Sequence, residues 1–137
     1  MPSRGVTDEE RERFDAILEE LLPKLPPRVQ EVMEEVPLIV EDQPDARMMR
    51  EMRLRRASEL LGLYHGVSID ERSILDGPHL GDVIYLFRLG LLREARRGAH
   101  NEAERDARLR EEIRKTILHE IGHYHGMDEE ELEDLGY

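Results

Sequence analysis

The sequence predicts an α+β protein, a small sheet of about three strands packed with helices. Three observations carry that expectation. Apolar residues recur at helical spacing from Asn101 to Tyr124, Val83-Ile84-Tyr85-Leu86-Phe87 is a compact β-rich run, and a capped amphipathic stretch opens the chain. Charged residues make up 38% of the chain and aromatics 4%, a balance that leans toward disorder. The periodicity outweighs that composition, because it gives each segment an apolar face to bury.

Taken in order, Thr7-Asp8-Glu9-Glu10 reads as a capping box, with Thr7 as N-cap and Glu10 as its partner. Phe14, Ile17, Leu18, Leu21 and Leu22 follow at helical spacing until Pro23 ends the element. Pro26-Pro27 opens a second short helix with Val29, Val32, Met33 and Val36 on one face. Pro37 to Val40 is a first strand, closed by the turn formers Glu41-Asp42-Gln43-Pro44. Asp45 to Ser58 is Met- and Arg-rich, either helical or loosely ordered. Leu60 to Val67 has the content of a second strand, with glycines bending it, and Ile69 to Leu80 reads as a loop. Val83 to Phe87 is the clearest strand. In the long helix Leu109, Ile113, Ile117 and Ile121 repeat every fourth position, and Gly126 stops it. Asp128 then reads as the N-cap of a last short helix, with Glu131 as its box partner.

Composition excludes several function classes. The length, 137 residues, fits one domain over 1–137. Lys and Arg total 20 against 32 Asp and Glu, a net charge of -12, which opposes binding to nucleic acid or an anionic membrane. There are no cysteines, so thiol nucleophiles, Cys-ligated zinc and iron–sulfur clusters are ruled out. No secretory signal is visible at Met1-Pro2-Ser3-Arg4-Gly5, and no apolar run reaches the ~18 residues of a membrane span. The expected location is the cytoplasm.

The chemistry lies in the long helix, where His119-Glu120-Ile121-Gly122-His123 spells HExxH. Histidines four positions apart share a helix face and can grip one metal ion. The intervening Glu stands beside the ion's open position, where it can take a proton from water. Chance would produce the pattern in about 4% of chains of this composition. The glycine at Gly126 and the acids at Asp128 and Glu129 extend the match and make coincidence far rarer. At ~100° per residue, Glu120 falls inside the apolar arc of Leu109, Ile113, Ile117 and Ile121, with both histidines on its flank. A core-facing carboxylate is costly unless it is paired or given a task.

From His119 to Tyr137 the text His-Glu-Ile-Gly-His-Tyr-His-Gly-Met-Asp-Glu, ending Glu-Asp-Leu-Gly-Tyr, resembles a small bacterial family of possible zinc metallopeptidases with a minimal zincin-like fold. The resemblance extends upstream to Leu60 to Val67 and Val83 to Arg88. It implies one Zn2+ per chain, with His119 and His123 as ligands and Glu120 as catalytic base. It also implies a third ligand ten positions after the first His, an Asp in most of the family and Glu129 here. Asp128, which has a competing role as N-cap, Glu133 and water are the alternatives. The methionine turn of metzincins has no counterpart after Met127, so the substrate site should be shallow, or completed by a partner or a second copy.

The expected function is a zinc-dependent hydrolase acting on a peptide or peptide-like amide. The alternative is a zincin-like metal-binding or interaction module without useful turnover. Candidate oxyanion stabilisers are His125, Tyr124, Tyr137 and His65, each with an ordinary structural role as the competing explanation. Thr116, one turn before His119, could support the site by a hydrogen bond or simply be a helix threonine. Val83 to Phe87 could offer an edge to an extended peptide or be a core strand. His79 and His100 belong to loop-like sequence, and Arg93, Arg96 and Arg97 read as a solvated face, with an acidic partner as the alternative.

Overall fold

Side-chain caps set the start of several helices. The Thr7 hydroxyl accepts from the Glu10 amide at 3.1 Å, and the Glu10 carboxylate accepts from the Thr7 amide at 3.0 Å, starting helix α1, Asp8–Leu21. We describe residues 5–66, 82–126, 128 and 130 of a computed structural model. A short 3₁₀ turn, Leu22–Lys24, absorbs Pro23 before Pro27 opens helix α2, Pro27–Glu35. Strand β1, Leu38–Glu41, leads to helix α3, Ala46–Glu51, where Asp45 caps the Met48 amide at 2.8 Å. Strand β2 is Gly62–His65 and strand β3 is Val83–Phe87. Helix α4, Arg88–Arg96, precedes the long α5, Glu102–Tyr124, which Asn101 caps at the Glu104 amide. Gly126, at φ +86°, turns the chain out of α5. None of these helices is long and apolar enough to cross a membrane.

The sheet order is β1-β3-β2, with β1 parallel and β2 antiparallel to β3. Val83 to Phe87 is therefore the central strand, hydrogen-bonded on both sides. It offers no edge to a peptide, and among the described strands the edges belong to β1 and β2. The register lines up Leu38 with Ile84 and Tyr64, and Val40 with Leu86 and Gly62. Those two rows share the face that meets α5, because alternate strand residues point the same way. Beneath them lie Leu109, Ile113, Ile117 and Ile121 of α5 and Phe14, Ile17, Leu18 and Leu21 of α1, all in one buried cluster.

Sequence reasoning missed helix α4. It begins directly at the end of β3 without a side-chain cap, and Leu89, Gly90, Leu91, Leu92 and Ala95 are all buried. Their burial comes from two sides, α5 on one and the 3₁₀ turn Ala57–Glu59 on the other. A Cβ at Gly90 would stand 2.7 Å from the Leu60 carbonyl and 2.9 Å from that of Ser58. The position therefore demands glycine inside a helix, where propensity disfavours it. The loop Ile69 to Leu80 and the short helix expected after Asp128 lie outside the described residues, apart from Asp128 and Glu130 themselves.

One ionic node ties three elements together. Arg88, with 12% of its side chain exposed, donates to Asp15 of α1 at 2.8 Å and to Asp42 at 2.9 Å. Arg11 reaches the same Asp42 at 2.6 Å, and the Arg88 guanidinium lies 5.7 Å above the Phe14 ring. A cation in the first turn of a helix opposes its dipole, and these two carboxylates offset that cost. The hydrogen bond from Arg11, with a smaller contribution from Arg88, holds the Asp42 carboxyl below the usual carboxylate range against the upward push of burial. Its folded pKa thus lies below its unfolded value, so its stabilisation is present above pH ~3.9 and is lost as pH falls through the folded pKa. We expect Asp42→Asn to lower stability at neutral pH by about 1 kcal/mol, the carboxylate being a third exposed. The variant's melting temperature should also decline less steeply than the wild type's below pH 4, checked by thermal melts across pH.

Candidate metal centre

One helix serves both core and chemistry. Along α5 the buried residues include Ile113, Thr116, Ile117, Glu120 and Ile121, while His119 and His123 stand half-buried at the rim of that face. Their Nε2 atoms approach to 3.2 Å, with ring planes at 80°. Two imidazole nitrogens bound to one zinc at 2.0–2.1 Å with a tetrahedral angle would stand about 3.3 Å apart. The donor pair therefore fits a single small divalent ion, with no rearrangement of the helix. A ligand atom from each of His119, Glu120 and His123 lies within 4.8 Å of the others.

Glu120 is 8% exposed, and its burial has a visible compensation. Its Oε1 accepts the Tyr64 amide at 2.8 Å across 56 residues of sequence. The sheet register explains why that amide is available. Phe87 donates its amide to the Leu61 carbonyl, so in the antiparallel pair the main-chain groups of Leu61, Leu63 and His65 face β3. Those of Gly62 and Tyr64 face the outer edge, and there Glu120 meets the strand.

The approach of helix to strand depends on Gly62. A Cβ there would stand 2.5 Å from the Thr116 methyl, 2.9 Å from the Tyr85 carbonyl and 3.5 Å from Glu120 Cγ. The bare glycine lets α5 lie flush against the sheet. Tyr64 is fixed from its other end as well. Its hydroxyl donates to Asp82 at 3.3 Å, and its ring meets Tyr124 edge to face at 5.7 Å.

Beside the histidines runs a groove of about 280 Å³ lined by Leu61, Gly62, Glu112, Lys115, Thr116, His119 and Glu120. Thr116 is buried in it, under Gly62. Of the residues expected at the centre, the structure brings together His119, Glu120 and His123. Glu129 and Glu133 lie outside the described residues, and Asp128 is exposed. Among the oxyanion candidates, Tyr124 is buried against Tyr64, His65 and His125 are exposed, and Tyr137 lies outside the described residues. His100 is exposed, and His79 lies outside the described residues. Arg93 reaches Ser58 at 3.3 Å, Arg96 pairs with Glu10, and Arg97 pairs with Glu94 at 3.8 Å.

Sequence reasoning missed Gly62, the Tyr64 amide, and the groove residues Glu112 and Lys115. Glu112 and Lys115 carry a signal that could have found them, since they precede His119 by two turns and one turn on its side of the helix. Gly62 carries a fainter one, as a glycine at an inward position of a strand. Substituting Gly62→Ala should cost about 1–3 kcal/mol, because the Tyr85 carbonyl belongs to the ladder and cannot retreat. Chemical denaturation will measure that loss.

Comparison with known proteins agrees with this geometry. No curated protein matches the chain. Residues 33–137, from within α2 to the last residue, match the zincin-like metallopeptidase family. That stretch holds the whole sheet, the groove and the His119-Glu120-His123 cluster, and covers most of the sequence. The chain belongs to the zincin-like metallopeptidase family.

Proposed function

We propose that the protein is a zinc-dependent hydrolase of peptide or protein amide bonds. The observation that carries this reading is the 3.2 Å convergence of His119 and His123 with the Glu120 carboxylate alongside. His119 and His123 are two of the ligands, and Glu129 is assigned as the third from its place ten residues after His119. When bound, the ion acidifies a water and polarises the carbonyl to be attacked. Glu120, whose Oε1 accepts the Tyr64 amide in the resting protein, takes the proton of the attacking water on its carboxylate and delivers it to the departing amine. The wall of the groove, Leu61 and Gly62, holds the substrate beside that carboxylate and orients it. We take residues 1–137 as one domain, since Phe14, Ile17 and Leu18 of α1, upstream of the family match, share the core with α5.

Two outcomes test the reading. Zinc at 100-fold over its dissociation constant adds about 2.7 kcal/mol to the folded state, so the melting temperature should rise by roughly 5–10 °C and fall back with chelator. His123→Ala should abolish that response, and an unresponsive wild type would sink the metal site. In an assay against a mixed peptide library, Glu120→Gln should keep the zinc-dependent melting shift. Its turnover should drop by about 10²- to 10⁴-fold. A wild type that binds zinc yet cleaves nothing would instead favour a binding module.

A further inference from the structure

The Tyr64 amide occupies two places at once. It is an outward-facing donor of the edge strand β2, and it is the donor to Glu120 at 2.8 Å. Gly62 is the other residue of β2 whose main-chain groups face outward. An extended peptide that adds to this edge draws its hydrogen bonds from those two residues. The carboxylate that should act on the peptide therefore sits in one of the peptide's own hydrogen-bonding positions.

We propose that Tyr64 is a positioning residue whose amide is shared in turn, by Glu120 in the resting protein and by a substrate carbonyl once a peptide is docked. The inference rests on the hydrolase reading and adds a device to it. At rest the amide holds Oε1 and fixes the orientation of a buried carboxylate. On docking, a peptide carbonyl takes the amide and Oε1 turns toward the attacking water. The strand itself need not move. Tyr64 is held by its hydroxyl on Asp82 and its ring on Tyr124, and Leu63 and His65 stay on the β3 ladder. The exchange thus costs one hydrogen bond to a carboxylate and regains one to a carbonyl. Substrates that cannot present an extended backbone to β2 leave Glu120 where it is. This makes the device a selector for unstructured peptide over folded protein.

The test uses zinc-loaded full-length protein and one probe, mercaptoacetyl-leucyl-alaninamide. Its thiol can ligate the ion without a hydrogen bond from Glu120, and its backbone can dock on the edge. Amide exchange at Tyr64 should be slowed at least tenfold in the resting wild type and be fast in Glu120→Ala. It should slow again when Glu120→Ala takes up the probe. Glu120→Ala should bind the probe about tenfold more tightly than wild type. In a Tyr64→Pro background, which removes the amide without costing a ladder bond, the same substitution should change affinity less than twofold. If Tyr64→Pro does not fold, the exchange measurements decide alone. Protection that persists in Glu120→Ala without probe would overturn the sharing, because another group would then hold the amide. A probe that binds without altering exchange at Tyr64 in Glu120→Ala would overturn it too while leaving the hydrolase reading intact. A probe that fails to bind the zinc-loaded protein at all would overturn both.

Discussion

The distance between β2 and α5 sets everything that happens at the centre, and that distance is fixed where Gly62 passes over Thr116. Any side chain there would meet a methyl group on one side and a ladder carbonyl on the other. With only hydrogen at that point, the helix comes close enough for Glu120 to reach a strand amide and for His119 to open onto a groove walled by the strand. Moving the helix outward by the width of a methyl group would lengthen that hydrogen bond beyond use. The buried carboxylate would then have lost a charge-assisted donor, a situation that folded proteins avoid.

Two kinds of polar interaction do different work in this fold. The Arg88, Asp15, Asp42 and Arg11 node joins elements distant in sequence at the margin of the core, and all its charges are matched by carboxylate or guanidinium partners. At the metal centre the pairing is of another kind. Two imidazoles present ring nitrogens to the same point in space, and the carboxylate between them in sequence accepts a main-chain amide of the edge strand, which orients it.

How much of this was legible in the residues follows from range. The Thr7 cap, the long α5 and the β character of Val83 to Phe87 are local patterns, and each appears at the expected place. HExxH is local as well, which is why His119, Glu120 and His123 could be named together from spacing alone. Helix α4 escaped because it follows β3 without a break or a capping residue, although Arg93, Arg96 and Arg97 mark an exposed stripe at helical spacing. The central place of β3 escaped because its parallel pairing with β1 joins residues more than forty positions apart. The bond from Tyr64 to Glu120 is equally distant, and nothing in either residue's neighbourhood announces it. Glu129, the third ligand we propose, rests on the same kind of local pattern, its place ten residues after His119.

The first helix has a consequence for how this family is delimited. The segment that its members share starts inside α2, yet Phe14, wholly buried, is the residue on which the Arg88 guanidinium rests. A chain trimmed to residues 33–137 would keep every residue of the centre and lose the lining of one wall of its interior. The cluster that holds Ile113 and Ile117, on the helix that carries the histidines, would lose Phe14, Ile17, Leu18 and Leu21. The family match begins at residue 33, whereas the buried core reaches back to Phe14. Engineering or transplanting this centre must therefore begin some twenty-five residues upstream of where kinship becomes visible.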